Sequence, residues 1–141
     1  MVQQTKKPAA TREAETKVRR ARYRLGLSSE TIAGLLLRLK GYQIIDRRYR
    51  SPVGEIDLVA RRGRRLAFVE VKRRATLDAA FEAVTDRQRR RVERAAELWL
   101  KQHPRYAVLD YGFDIIALAP RHWPRHERDA FPFRSRWSPT G

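Results

Sequence analysis

Asp57, Glu70 and Lys72 are the residues whose types and spacing could do chemistry. They stand in Gly54-Glu55-Ile56-Asp57-Leu58 and Phe68-Val69-Glu70-Val71-Lys72, on either side of Arg62-Gly63-Arg64. Closing a hairpin with Gly63-Arg64 as a two-residue, glycine-first loop sets Arg61 opposite Leu66, Val59 opposite Phe68 and Asp57 opposite Glu70. Opposed residues share a face of the sheet with β-carbons about 5 Å apart. The two-residue period adds Lys72, opposite Glu55, to that face. Carboxylates this close repel, and the repulsion raises at least one pKa unless a cation intervenes. A divalent ion resolves the conflict: Asp57, Glu70, a backbone carbonyl and waters make a hard oxygen site suited to Mg2+ or Mn2+. Such an ion activates water and stabilises charge building on a phosphate, while Lys72 steadies that phosphate or orients the attacking water. An ordinary ion-pair cluster, in which Lys72 and nearby arginines neutralise both acids, fits the same spacing. A three-residue loop would shift the register and separate the acids.

The elements that must position these side chains are legible in outline. Ser28 or Ser29 caps a helix running to about Lys40, stopped by Gly41, with Ile32, Leu35, Leu36 and Leu39 as its apolar set. Residues 42–49 are extended, Ser51-Pro52-Val53-Gly54 is turn-like, and strands follow over 55–61 and 65–73. A short helix over 77–84 precedes a long one announced by Thr85, with Gln88 in capping-box spacing, which ends near Gln102 before Pro104. Its buried stripe is Val92, Ala95, Ala96, Trp99 and Leu100. Residues 106–109 and 113–119 read as later strands. This order predicts an α/β domain over 25–119, between a basic N-terminal arm (1–24) and an irregular basic C-terminal tail (120–141).

The 141 residues carry a formal net charge of +16, a pI near 11.3 and 42% apolar residues, enough for a real core. The surplus is spread over arm, domain and tail, and self-repulsion of this size favours a polyanionic partner, nucleic acid first. The absence of cysteine excludes a disulfide framework, thiolate–metal sites and a cysteine nucleophile. The longest apolar stretch, 32–39, is broken by Arg38 and is far short of the roughly 20 residues of a membrane span. No apolar run follows Lys6 and Lys7, so no secretory signal is expected and a cytoplasmic protein is. The three histidines follow no ligand spacing.

The chain resembles a known family in these residues. GEIDL followed by FVEVK is similar to the D…(D/E)-x-K signature of the restriction-endonuclease-like, PD-(D/E)XK, nucleases. More closely, the sequence from Gly26 to Ala119 resembles the bacterial YraN-like family (uncharacterised protein family 0102). That match takes in Lys40-Gly41-Tyr42, Ala83-Val84-Thr85, Ala95…Trp99-Leu100 and Phe113-Asp114. The resemblance implies a restriction-endonuclease-like core, a central mixed β-sheet flanked by helices, with Holliday-junction resolvases among the relatives. It implies a Mg2+- or Mn2+-dependent endonuclease acting on DNA, with branched or structured DNA as candidate substrate, and a homodimer as an open expectation. Asp57, Glu70 and Lys72 would be catalytic, with Glu30 on the first helix joining Asp57 and Glu70 as metal ligand. Ala33 and Gly34 share a face with Glu30 and are small enough to bring that helix close to the sheet. A first-turn acid complementing the helix dipole is the plainer reading of Glu30. Two positions depart from the family pattern: Gln88 stands where a lysine is common, and Gly112 where an arginine precedes Phe-Asp. Asp114 reads as a structural partner for a basic residue.

Arg73, Arg74, Arg87, Gln88 and Arg91 are the candidate nucleic-acid contacts. Arg87, Arg89, Arg90, Arg91 and Arg94 fall on the solvent face of the second long helix, and Arg47, Arg48 and Arg50 lie beside the site. Such clusters follow a phosphate backbone without reading bases. Two other functions fit the sequence. One is a non-catalytic nucleic-acid-binding module with a vestigial nuclease site; the other is a protein-docking role for the aromatic tail.

Overall fold

Both long helices begin where a hydroxyl can satisfy an otherwise orphaned amide. Ser28 Oγ accepts from Thr31 N (3.2 Å) and opens α1, Ser29–Leu39. Thr85 Oγ1 accepts from Gln88 N (3.2 Å) and opens α3, Asp86–Gln102. Between them run β1 (Gln43–Ser51), β2 (Gly54–Arg62), β3 (Arg65–Arg73) and the short helix α2 (Leu77–Glu82). β4 (Asp110–Leu118) and β5 (Arg125–Phe131) follow α3. The computed structural model describes residues 9, 10, 12, 13 and 27–132. Most of the expected N-terminal arm and residues 133–141 of the expected tail lie outside the described residues.

The result is an α/β fold with one open five-stranded mixed sheet in the order β1-β2-β3-β4-β5, flanked by helices and consistent with a restriction-endonuclease-like core. Only β3 and β4 are parallel, joined through α2 and α3; every other neighbouring pair is antiparallel. Each strand face supplies one core. Val59, Leu66, Phe68, Phe113 and Ile115 pack with Val92, Ala96 and Trp99 of α3. Leu58, Ala60, Ala67, Val69 and Ile116 pack with Ile32, Ala33 and Leu37 of α1. Among the described residues no helix is long and apolar enough to cross a membrane.

Gly54 fixes how closely α3 lies on the sheet. A β-carbon there would stand 2.0 Å from the Arg91 carbonyl oxygen, a backbone atom that cannot swing away. Gly54→Ala should force α3 off β2 and destabilise the protein by about 2–3 kcal/mol. An unchanged urea midpoint would refute that reading.

Four expectations need correction. Residues 125–131 are a strand, not part of an irregular tail: their charged residues carry no apolar alternation, and they are held by main-chain pairing to β4 and by contacts to Asp114. Residues 106–109 are not a strand: 106 ends a 3-10 turn over 104–106 that Pro104 begins after α3, 107–109 continue as a turn, and the strand starts at Asp110. On α1 the buried face is Ile32, Ala33, Gly34 and Leu37, whereas Leu35 and Leu39 are 45% and 81% exposed. Arg89 is half-buried rather than solvent-facing, with its guanidinium 5.3 Å from the centre of the Phe131 ring.

Candidate active site

The β2–β3 hairpin closes through Gly63-Arg64 in the expected register, with Arg62 facing Arg65, Arg61 facing Leu66, Val59 facing Phe68 and Leu58 facing Val69. Pairing stops there, and the Asp57 carboxylate takes over from the main chain: Oδ2 accepts from Val71 N at 2.7 Å. Ile56 and Val59 belong to the same core although they are three residues apart, so the face alternation of β2 slips by one around Asp57. Facing that slip, between the pairs Arg47–Leu58 and Tyr49–Ile56, Arg48 adopts a φ of 48°, a left-handed conformation rare for a non-glycine residue in a strand. Such irregularities re-aim side chains where two strands part.

Glu70 and Lys72 lie on the α3 side of β3 and are 13% and 14% exposed, with Lys72 Nζ 3.3 Å from Glu70 Oε1. Burial, and then the charge of Asp57, push Glu70 up to about 7 against the pull of Lys72. Burial also raises Asp57, joined by the charges of Glu30 and Glu55, while the Val71 amide and Lys72 act the other way. Both acids are thus held where ionisation is resisted, and a single ammonium does not relieve them. With its amide turned to match its neighbours, Gln88 accepts from Lys72 Nζ at 3.0 Å and donates to the Ala83 carbonyl at 2.9 Å. The capping box is therefore half made: Thr85 caps the helix, while the Gln88 side chain is drawn to Lys72.

The structure thus brings Asp57, Glu70, Lys72 and Gln88 together. Glu30 is near enough to act on Asp57 by its charge, but its carboxylate is 3.6 Å from Arg48. Among the described residues no three histidine or acidic side chains are grouped to hold a metal ion. Two carboxylates that resist joint ionisation nevertheless fit Mg2+, which keeps several waters and commonly takes one or two protein carboxylates. Arg73, Arg74, Arg87 and Arg91 are exposed around this end of the sheet.

Asp114 is buried on the α1 side of β4, away from the candidate site, and serves structure. Burial alone would raise its pKa, but Arg65 donates to both its oxygens (2.8 and 2.6 Å), His126 Nε2 lies 2.7 Å away and Asp129 N donates at 3.0 Å. Together these hold it at about 2. A β-carbon at Gly112 would stand 2.6 Å from an Arg65 guanidinium nitrogen and 2.4 Å from Asp129 Oδ1. The Arg65 guanidinium, reaching across from the neighbouring strand, thus occupies the space beside Gly112. Sequence reasoning missed Asp46, which accepts from Trp99 Nε1 at 2.9 Å, and His126, whose charged surroundings gave no periodic signal.

Comparison with known proteins gives a consistent relationship. The sequence model of Uncharacterised protein family UPF0102 matches residues 29–118. A UPF0102 protein of Parvibaculum lavamentivorans is 55% identical over 124 residues, covering 88% of this chain and 93% of the relative. A UPF0102 protein of Methylorubrum extorquens is 54% identical over 113 residues, covering 80% and 88%. One from Chelativorans is 48% identical over 122 residues, covering 86% and 98%.

Proposed function

The chain belongs to Uncharacterised protein family UPF0102, and from that premise we propose that it is a metal-dependent endonuclease hydrolysing phosphodiester bonds in DNA, with branched or structured DNA as its substrate. The observation that carries this reading is the meeting of Asp57, Glu70 and Lys72 where β2 and β3 part, with Glu70 pushed up to about 7. A stable ion-pair cluster would be expected to lower both acids, whereas burial raises both here. Resemblance to the restriction-endonuclease-like superfamily supports the same assignment.

Asp57 and Glu70 would hold Mg2+ or Mn2+, and the ion would supply charge stabilisation at the phosphate and activation of water. The Val71 amide fixes one oxygen of Asp57, so that carboxylate is oriented before any ligand arrives. Lys72 is aimed by Gln88 on one side and Glu70 on the other. Its ammonium can steady a phosphate oxygen as negative charge builds there. Exposed arginines at 73, 74, 87 and 91 would follow the backbone on either side without selecting sequence.

The test incubates the full chain with four-way-junction and flapped DNA in Mg2+ or Mn2+. Cleavage is expected, and it should be lost in Asp57→Ala and Lys72→Ala. Cleavage undiminished in both variants would discard the assignment. Salt-dependent binding without metal uptake or strand scission would instead identify a binding module that keeps the site unused.

A further inference from the structure

On the opposite face of the sheet from Glu70, three side chains from three elements form a chain of hydrogen bonds that the proposed cleavage does not use. Asp114, buried, lies 2.7 Å from Nε2 of His126, whose side chain is 2% exposed. The other ring nitrogen of His126, Nδ1, lies 2.5 Å from Nζ of Lys40. Lys40 is exposed at the end of α1, and its carbonyl is fixed by Arg62 (3.0 Å). An ammonium can only donate, so towards a charged Lys40 Nδ1 is the acceptor, and Nε2 is the ring nitrogen that faces the carboxylate.

From this geometry we propose that Lys40 is a nucleophilic amine, a site of self-acylation by acyl phosphates. An amine within hydrogen-bond reach of a base, itself oriented by a buried carboxylate, is the arrangement that activates a nucleophile. The ammonium passes a proton to His126 Nδ1, and the resulting imidazolium is stabilised by Asp114. The free Nζ lone pair attacks the carbonyl carbon of the acyl phosphate. The N–C bond forms, the bond from that carbon to the phosphate oxygen breaks, and inorganic phosphate leaves with the electron pair. The second amine proton and the one held by His126 pass to phosphate and solvent, leaving a neutral amide on Lys40.

The surroundings support both halves of this reaction. Burial lowers the Lys40 pKa, and so do the charges of Arg62, Arg128 and Arg65, while Asp114 opposes them. These groups face Lys40 from β2, β5, β3 and β4, so the free amine is favoured from every side except that of Asp114. The same cations attract a dianionic phosphate. Lys101, near the exposed end of α3, provides an internal comparison within the same chain.

The experiment exposes the folded full chain to acetyl phosphate near pH 8 and follows acetylation of Lys40 and Lys101 by peptide mass spectrometry. Lys40 should react several-fold faster, as expected of an amine held against a base that a carboxylate orients. In denaturing urea the two rates should converge, which ties the preference to the fold. His126→Asn, checked for folding by circular dichroism, should lower the Lys40 rate several-fold. Lys40 reacting no faster than Lys101 in the folded protein, or a preference that persists in urea, would overturn the proposal. A folded His126→Asn variant that keeps the full rate would do the same.

Discussion

Glu70→Gln is expected to give a metal-free protein that is more stable than the parent at pH 8 and has lost its uptake of Mg2+ or Mn2+. The Glu70 carboxyl is buried beside Asp57, and its pKa rises from 4.5 to about 7 on folding. The folded state therefore holds the proton more tightly than the unfolded chain, so stability falls as pH rises from about 4.5 to about 7 and the deficit is complete above that. At 1.36 kcal/mol per unit the deficit is about 3 kcal/mol, removed when the group cannot ionise. Urea unfolding with chelator present should show that gain at pH 8 and almost none at pH 4. Calorimetric titration with Mn2+ should show binding to the parent alone. Equal stability of parent and variant across this pH range would mean that Glu70 ionises without strain, and the case for an ion at this position would fall with it.

Asp114→Ala should act in the opposite direction and as strongly. It removes the acceptor of two Arg65 bonds, the His126 contact and the Asp129 amide bond. Arg65, only 14% exposed, would keep Asp129 as its remaining ion-pair partner at 3.1 Å. Breaking a buried pair from one side costs about 3–5 kcal/mol, a large share of the roughly 5–15 kcal/mol that holds a domain folded. Thermal and urea unfolding measure the loss, and a decrease below about 1 kcal/mol would contradict it. In the parent, the depressed Asp114 pKa predicts a contribution present above about pH 4 and lost as pH falls towards 2.

The hairpin was readable because Gly63-Arg64, taken as a two-residue glycine-first loop, specifies one register, which the structure keeps from Arg62–Arg65 to Leu58–Val69. The long helix was readable from Thr85 and from the Val92-to-Leu100 stripe. The face of α1 was harder, because large apolar side chains mark one stripe and close packing selects another. Glu30, Ala33, Gly34 and Leu37 share the spacing of a face, and the small residues allow the approach. Leu35, Leu36 and Leu39 instead join Trp123 and Pro124 along an open cleft of about 150 Å3. β5 was hidden because its pairing is made by the main chain, and a run of Arg, His, Glu, Arg and Asp carries no hydrophobic rhythm. Within the candidate site, residue types indicated which groups would meet. The turn of Gln88 onto Lys72 and of Glu30 towards Arg48 depended on side-chain choices that spacing does not encode.

The space above Gly112 has a bearing on how this protein can change over generations. One guanidinium fills it, reaching across from position 65 to the carboxylate at position 114. A second arginine planted at 112 would collide with the first, and removing both would strand the acid. The two neighbouring strands therefore share a single vacancy for a cation. Any side chain at 112 has to displace that guanidinium or Asp129 Oδ1, so the residue at 65 restricts what its neighbouring strand can carry at 112.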